Sequence, residues 1–107
     1  MSYQKLINLT LLLCSLSSYA FAEEDKYSPV REKIQSCVVC HGENGASTQA
    51  AFPILAGQEF YYMYVQLKDM KKGLRDSVVM SPIAATLEKS EMKLIAEFSA
   101  GKMPTAH

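Results

Sequence analysis

The clearest periodic signal in the chain lies between Gln58 and Lys72. Over QEFYYMYVQLKDMKK, the residues Phe60, Met63, Tyr64, Leu67 and Met70 recur at spacings of three and four, which places them on one face of a helix. Lys68, Lys71 and Lys72 fall on or near the other side, and Gly73 is the residue type that commonly ends a helix. A second pattern starts at Ser28-Pro29, where Ser can cap and Pro is tolerated at the first helical position. Val30, Ile34, Cys37 and Val38 continue it. A third helix is predicted from Glu88 to Ala100, with Leu94, Ile95 and Phe98 facing in and Gly101 closing it. The stretch IAAT after Pro82 predicts one further short turn.

Between these helices lie two segments without a pattern. One, His41 to Gly57, carries three glycines and Pro53; the other is LRDSVVMSP, Leu74 to Pro82. No stretch alternates with the period of a strand. The reading is all-α, with three main helices and two long loops. A long loop without secondary structure in a small domain is usually functional.

The first residues follow a different logic. Lys5 gives a positive start, Leu6 to Leu16 is mostly apolar, and Ala20-Phe21-Ala22 supplies small residues at the cleavage positions. This predicts a secretory signal peptide over 1–22, cut after Ala22, and a domain over 23–107. The apolar run falls short of the ~20 residues that span a bilayer. No integral membrane segment is expected after cleavage, and Cys14 is removed with the leader.

Removing Lys5 leaves 10 basic and 11 acidic side chains, a formal charge of −1. No strong field points to nucleic acid or to an anionic membrane. The 85 residues from Glu23 to His107 make a small domain, and domains of this size often need a disulfide, metal or cofactor to complete them. Two cysteines three positions apart close too small a loop to help.

The chemistry gathers in CVVCHGENG, Cys37 to Gly45. A tetrahedral zinc site needs four ligands. The mature chain offers only Cys37, Cys40, His41 and the terminal His107 among sulfur and imidazole groups. A thioredoxin-like dithiol expects a βαβ setting, which this chain lacks. A Cys37–Cys40 disulfide is permitted outside the cytoplasm but leaves His41 unexplained. C-x-x-C-H reads instead as covalent haem attachment. Both thiols then form thioethers with the haem vinyl groups, and His41 lies under the iron as its proximal ligand.

With that motif, the whole mature sequence resembles the small class I c-type cytochromes, close to single-domain cytochromes c553 and the halves of dihaem cytochrome c4. The residues that carry the resemblance are Cys37 to Gly42, Pro53-Ile54-Leu55-Ala56-Gly57-Gln58, Tyr62, Gln66-Leu67, Gly73 with Arg75, and Met80 to Ala84. The resemblance implies a class I cytochrome c fold around one covalently bound haem c. It implies His/Met axial ligation by His41 and Met80. It also places Pro53 where the family's proline carbonyl accepts the proton of the proximal imidazole, a contact that fixes the ring. Met63 and Met70 sit on the helical stripe, Met92 opens the last helix and Met103 lies in the tail. His107 is the other candidate for the sixth position. Tyr62, Tyr64 and Phe60 are candidates for the haem pocket as well as for the core. Gln66 and Arg75 are candidates to face the propionates, which need donors.

The resemblance implies a periplasmic one-electron carrier rather than an enzyme. Its partners would be redox proteins such as a membrane oxidase, a reductase or a dehydrogenase. The alternative is a haem protein with an open distal site, acting as a ligand sensor or peroxidase-like enzyme, which requires Met80 to be off the iron.

Overall fold

The computed structural model of the chain describes residue 3 and residues 24–102. Apart from residue 3, the signal-peptide segment lies outside the described residues, as do its cleavage point, Cys14, Met103 and His107. A 3-10 turn, Ser28–Val30, leads directly into helix α1, Arg31–His41. A second 3-10 turn spans Glu43–Gly45. Helix α2 is Phe60–Lys72, the short helix α3 is Met80–Ala85, and α4 is Lys89–Ala100. None of the described residues forms a strand, and no described helix is long and apolar enough to cross a membrane.

Helix α2 is the centre of the packing and touches both α3 and α4. Its predicted stripe is buried at Met63, Tyr64, Leu67 and Met70, while Phe60 stands partly exposed at the first turn. These side chains meet Met92, Ile95 and Ala96 of α4, Ala84 of α3, and Val30 and Ile34 from the first helical segment. Burial of each large side chain contributes about 1.5–3 kcal/mol, so this interface holds the domain together. Leu94 and Phe98, expected to face in, pack only partly buried against the core, and the fully inward face is Met92, Ile95, Ala96 and Ser99. The two ends of the domain are tied across α4. Tyr27 sets its ring edge-on to Phe98 at 5.2 Å, Lys26 pairs with Glu97, and Lys33 of α1 pairs with Glu91.

The helix starts differ slightly from the sequence pattern, for local reasons. Ser28 lies inside the 3-10 turn and Tyr27 precedes it without a side-chain cap. Helix α2 begins at Phe60 because Glu59 takes the capping position. Its carboxylate accepts the Tyr61 N–H at 3.0 Å and the Tyr62 N–H at 2.7 Å, two of the donors that every helix start leaves unpaired. Helix α4 begins after Glu88, whose own N–H is accepted by Glu91 at 2.8 Å, half of a capping box.

The Tyr61 and Tyr62 amides hold the Glu59 carboxyl below its ordinary value of 4.5. A lowered carboxyl stabilises the fold above its unfolded pKa, and that contribution is lost as pH falls through the folded value. Glu59→Gln keeps an acceptor but removes the charge. The variant is expected to melt below wild type at neutral pH and to match it once the medium is acidic enough to protonate Glu59. Thermal melts at the two pH values check this.

Candidate functional site

Cys37, Cys40 and His41 occupy the last turns of α1. Positions four apart share a helix face, so Cys37 and His41 look the same way, with Cys40 beside them. Both thiols are half-buried and neither is in a disulfide. Burial pushes the Cys37 thiol above its ordinary pKa; a bond from its own backbone opposes this, and neighbouring Cys40 adds to the rise. Cys37 therefore stays a neutral thiol. Among the described residues no three His, Cys, Asp or Glu side chains converge where they could hold a metal ion between them. The three groups of the motif line a surface rather than surround a point.

The His41 ring is 6 % exposed, and its orientation is set from the following loop. Its Nδ1 lies 2.8 Å from the carbonyl oxygen of Pro53. A carbonyl can only accept, so Nδ1 carries a proton, and in the neutral ring the lone pair is on Nε2. Phe52 sets its ring edge-on to the imidazole at 6.4 Å. The loop that presents the carbonyl is itself held by backbone bonds. Leu55 N–H and Ala56 N–H both donate to Gly45 O, at 2.8 and 3.1 Å, and Gly57 N–H donates to Ser99 O of α4 at 3.0 Å. The buried Ser47 hydroxyl closes a small turn by accepting Gln49 N–H at 3.2 Å.

Gly42 makes the turn from helix to loop possible. Its φ of 81° and ψ of 167° fall in a region essentially reserved for glycine. A Cβ there would sit 3.0 Å from Ala46 O and 3.2 Å from Ser47 Cα, backbone atoms that cannot swing away. Gly42→Ala is expected to destabilise the fold by about 3 kcal/mol, the upper end of the strain held at such positions. Urea unfolding with an unaltered slope would measure it.

Met80 stands at the first position of α3 and packs half-buried against the core. The sequence pattern places this residue in a loop and only IAAT in a helical turn. The helix starts earlier because Ser77 Oγ accepts the Met80 N–H at 3.0 Å, and Pro82, third in the helix, is where a missing N–H costs nothing. Met80 lies near His41. Tyr62 is half-exposed on α2. Tyr64, by contrast, belongs to the core, with the ammonium groups of Lys68 and Lys93 at 5.5 and 5.8 Å from its ring centre. Arg75 is exposed, and its guanidinium donates to Gln66 Oε1. The structure therefore brings together the two residues expected to face the propionates. An open cleft of about 320 Å³ borders Cys37 and His41, walled by Ile34, Leu55, Ile95 and Phe98. Met80, Tyr62 and Arg75 do not line it.

The donor set fits a ring that brings its own equatorial ligands to the iron. Two unpaired thiols and one imidazole with a free Nε2 share a helical surface. Around Met80 the side chains of Leu74, Val78, Val79 and Ile83 stand exposed, an apolar surface awaiting an apolar cover. Ser77 and Ser81 do not stand out in the sequence; a serine three residues before a short helical run is the signal that could have found the first.

No protein-family model matches the chain. Individual relatives do. The thiosulfate dehydrogenase electron acceptor of Stutzerimonas stutzeri is 34% identical over 94 residues, 85% of this chain and 44% of that protein. Cytochrome c4 of Pseudomonas aeruginosa is 33% identical over 98 residues, 92% of this chain and 48% of that protein. The chain thus spans about half the length of these two relatives. Cytochrome c-554(548) of Halomonas halodenitrificans is matched over most of its own length, with 31% identity over 70 residues, 63% of this chain and 84% of that protein. With that coverage, an all-helical fold and the C-x-x-C-H turn of α1, the chain belongs to the class I c-type cytochromes.

Proposed function

We propose that this chain is a one-electron carrier working outside the cytoplasm, and that it is not an enzyme. Membership of the family brings covalently bound haem c. The observation that carries the reading is the His41 ring. Its Nδ1–H is committed to Pro53 O at 2.8 Å, which leaves Nε2 as the nitrogen available to a metal beside two unpaired thiols. In this reading Cys37 and Cys40 would hold the haem through thioether bonds, His41 Nε2 and Met80 Sδ would be the protein ligands to its iron, and Pro53 O fixes the imidazole. Tyr62 and Arg75 would border the bound haem, with Arg75 and Gln66, which already bond each other, offering donors to the propionates. When bound, the haem supplies the one-electron iron couple.

With His41 and Met80 both holding the iron, this assignment would let electrons pass while leaving no place for a substrate there. A thioether ligand together with an imidazole would favour the reduced metal. The exposed apolar side chains of Val78, Val79 and Ile83 beside Met80 would pack against the haem and exclude water from that side once it is bound. The Stutzerimonas relative is by its name an acceptor of electrons linked to thiosulfate dehydrogenase. By the same chemistry the partners here are redox proteins: a dehydrogenase or reductase as donor, or a membrane oxidase as acceptor. The segment 1–22, cut after Ala22, would deliver the chain to the periplasm.

The test is the absorption spectrum of protein exported with haem-maturation machinery, in both oxidation states. A weak near-infrared band in the oxidised form is the expected signature of sulfur on iron. A high-spin spectrum without it would favour the open distal site of a ligand sensor or peroxidase-like enzyme. A chain that takes up no haem would sink both readings.

A further inference from the structure

Met80 is held by two serines that the proposed function does not use. Ser77 Oγ accepts the Met80 N–H at 3.0 Å. In return Ser81 Oγ accepts the Ser77 N–H at 3.0 Å, and Ser81 N–H donates to Ser77 O at 3.0 Å. Ser81 thus ties down the backbone of Ser77, and the Ser77 hydroxyl in turn ties down the backbone of Met80.

Little else fixes this stretch. Leu74 is 75% exposed and Val78 97% exposed, so apolar packing contributes little from Leu74 to Val79. Helix α3 has six residues, too few to persist on its own propensity. Its far end is also tied, by Thr86 Oγ1 donating to Ile83 O at 2.7 Å and by Lys71 Nζ donating to Leu87 O. Burial of Ala84 and of Leu87 just beyond it anchors the far half of the helix, so hydrogen bonds matter most at the near end, where Met80 stands.

We propose that Ser77 and Ser81 form a clamp that positions Met80 and sets how readily an outside ligand displaces it. The inference rests on the reading of Met80 as sixth ligand. An outside ligand binds only the fraction of molecules in which the Met80 segment has swung away, so its apparent affinity scales with that fraction. Removing one bond of the clamp raises the open fraction by about fivefold, the equilibrium weight of one intramolecular hydrogen bond.

The experiment titrates oxidised, haem-loaded protein with imidazole and follows loss of the near-infrared band. Ser77→Ala and Ser81→Ala are each expected to bind imidazole about fivefold more tightly than wild type. Ser77→Thr, which restores an acceptor, should return to the wild-type value. The double alanine variant should match the weaker single variant rather than add to it, because both serines belong to one clamp. A role confined to overall stability would lower the urea midpoint and leave imidazole affinity unaltered, and that result overturns the clamp. Should Ser77→Ala fail to accumulate, Ser81→Ala carries the same comparison, since Ser81 Oγ does not touch Met80 directly. Met80→Ala separates the two ideas. A band present in wild type, lost in Met80→Ala and unmoved in affinity by the serine variants sinks the clamp alone. A wild-type spectrum identical to that of Met80→Ala sinks the ligand assignment, and the clamp with it.

Discussion

Replacing Cys37 and Cys40 together with alanine is expected to leave a chain from which all haem extracts into acidified organic solvent. Haem staining should be lost from denaturing gels, and the mass spectrum should show the bare polypeptide. The two thiols are three positions apart on α1, half-buried and not joined to each other, so each is available to carry one thioether. The Cys37 thiol is held in its neutral form by burial, which makes it a poor nucleophile and a poor redox partner for Cys40. Cys40→Ala alone should keep haem on the gel through Cys37, at reduced yield. The double variant should also accumulate poorly, because a domain of this size buries a modest share of its surface, and the apolar side chains around Met80 would lose their cover. Haem surviving denaturation in the double variant would refute the anchorage.

Much of the scaffold is legible in the sequence because burial and helical period coincide. The stripe Met63, Tyr64, Leu67 and Met70 is the buried face of α2, and C-x-x-C-H lies at the end of α1 where the periodicity puts it. The starts are displaced by a residue or two, since Glu59 and Glu88 take capping positions more often filled by Ser, Thr, Asp or Asn. Helix α3 is longer than the pattern suggests because six residues make fewer than two turns and leave no period to count. Long-range pairings leave no trace in the pattern at all. Arg75 with Gln66, Lys26 with Glu97, and Gly57 N–H on Ser99 O depend on which loops meet, and composition does not encode that. The contact between His41 and Pro53 stands between these cases. Family resemblance supplies the expectation, and the folded loop 45–57 supplies the geometry.

Met80→Ala is expected to abolish the near-infrared band and to lower the reduction potential by roughly a few tenths of a volt, a substantial part of the ~0.8 V that axial ligands span. Removing a thioether takes away the ligand that favours reduced iron, so the sign is downward. The other described methionines are poorly placed to substitute. Met63, Met70 and Met92 are at most 9% exposed and sit in the core cluster. Drawing one of them onto the metal would open a void of the kind that costs about 2–5 kcal/mol. Met63→Leu, which keeps the volume, should therefore retain the band and a potential near wild type. Met80 alone among the four is half-buried, begins a helix and has its N–H fixed by a serine hydroxyl. With Met80 gone, the axial position opens to added imidazole or cyanide without competition, so both should bind the oxidised variant far more tightly than wild type. A band that survives Met80→Ala would move the ligand elsewhere in the chain. A band absent from wild type and variant alike, with small ligands binding both equally, would assign this chain an open iron and a different kind of chemistry.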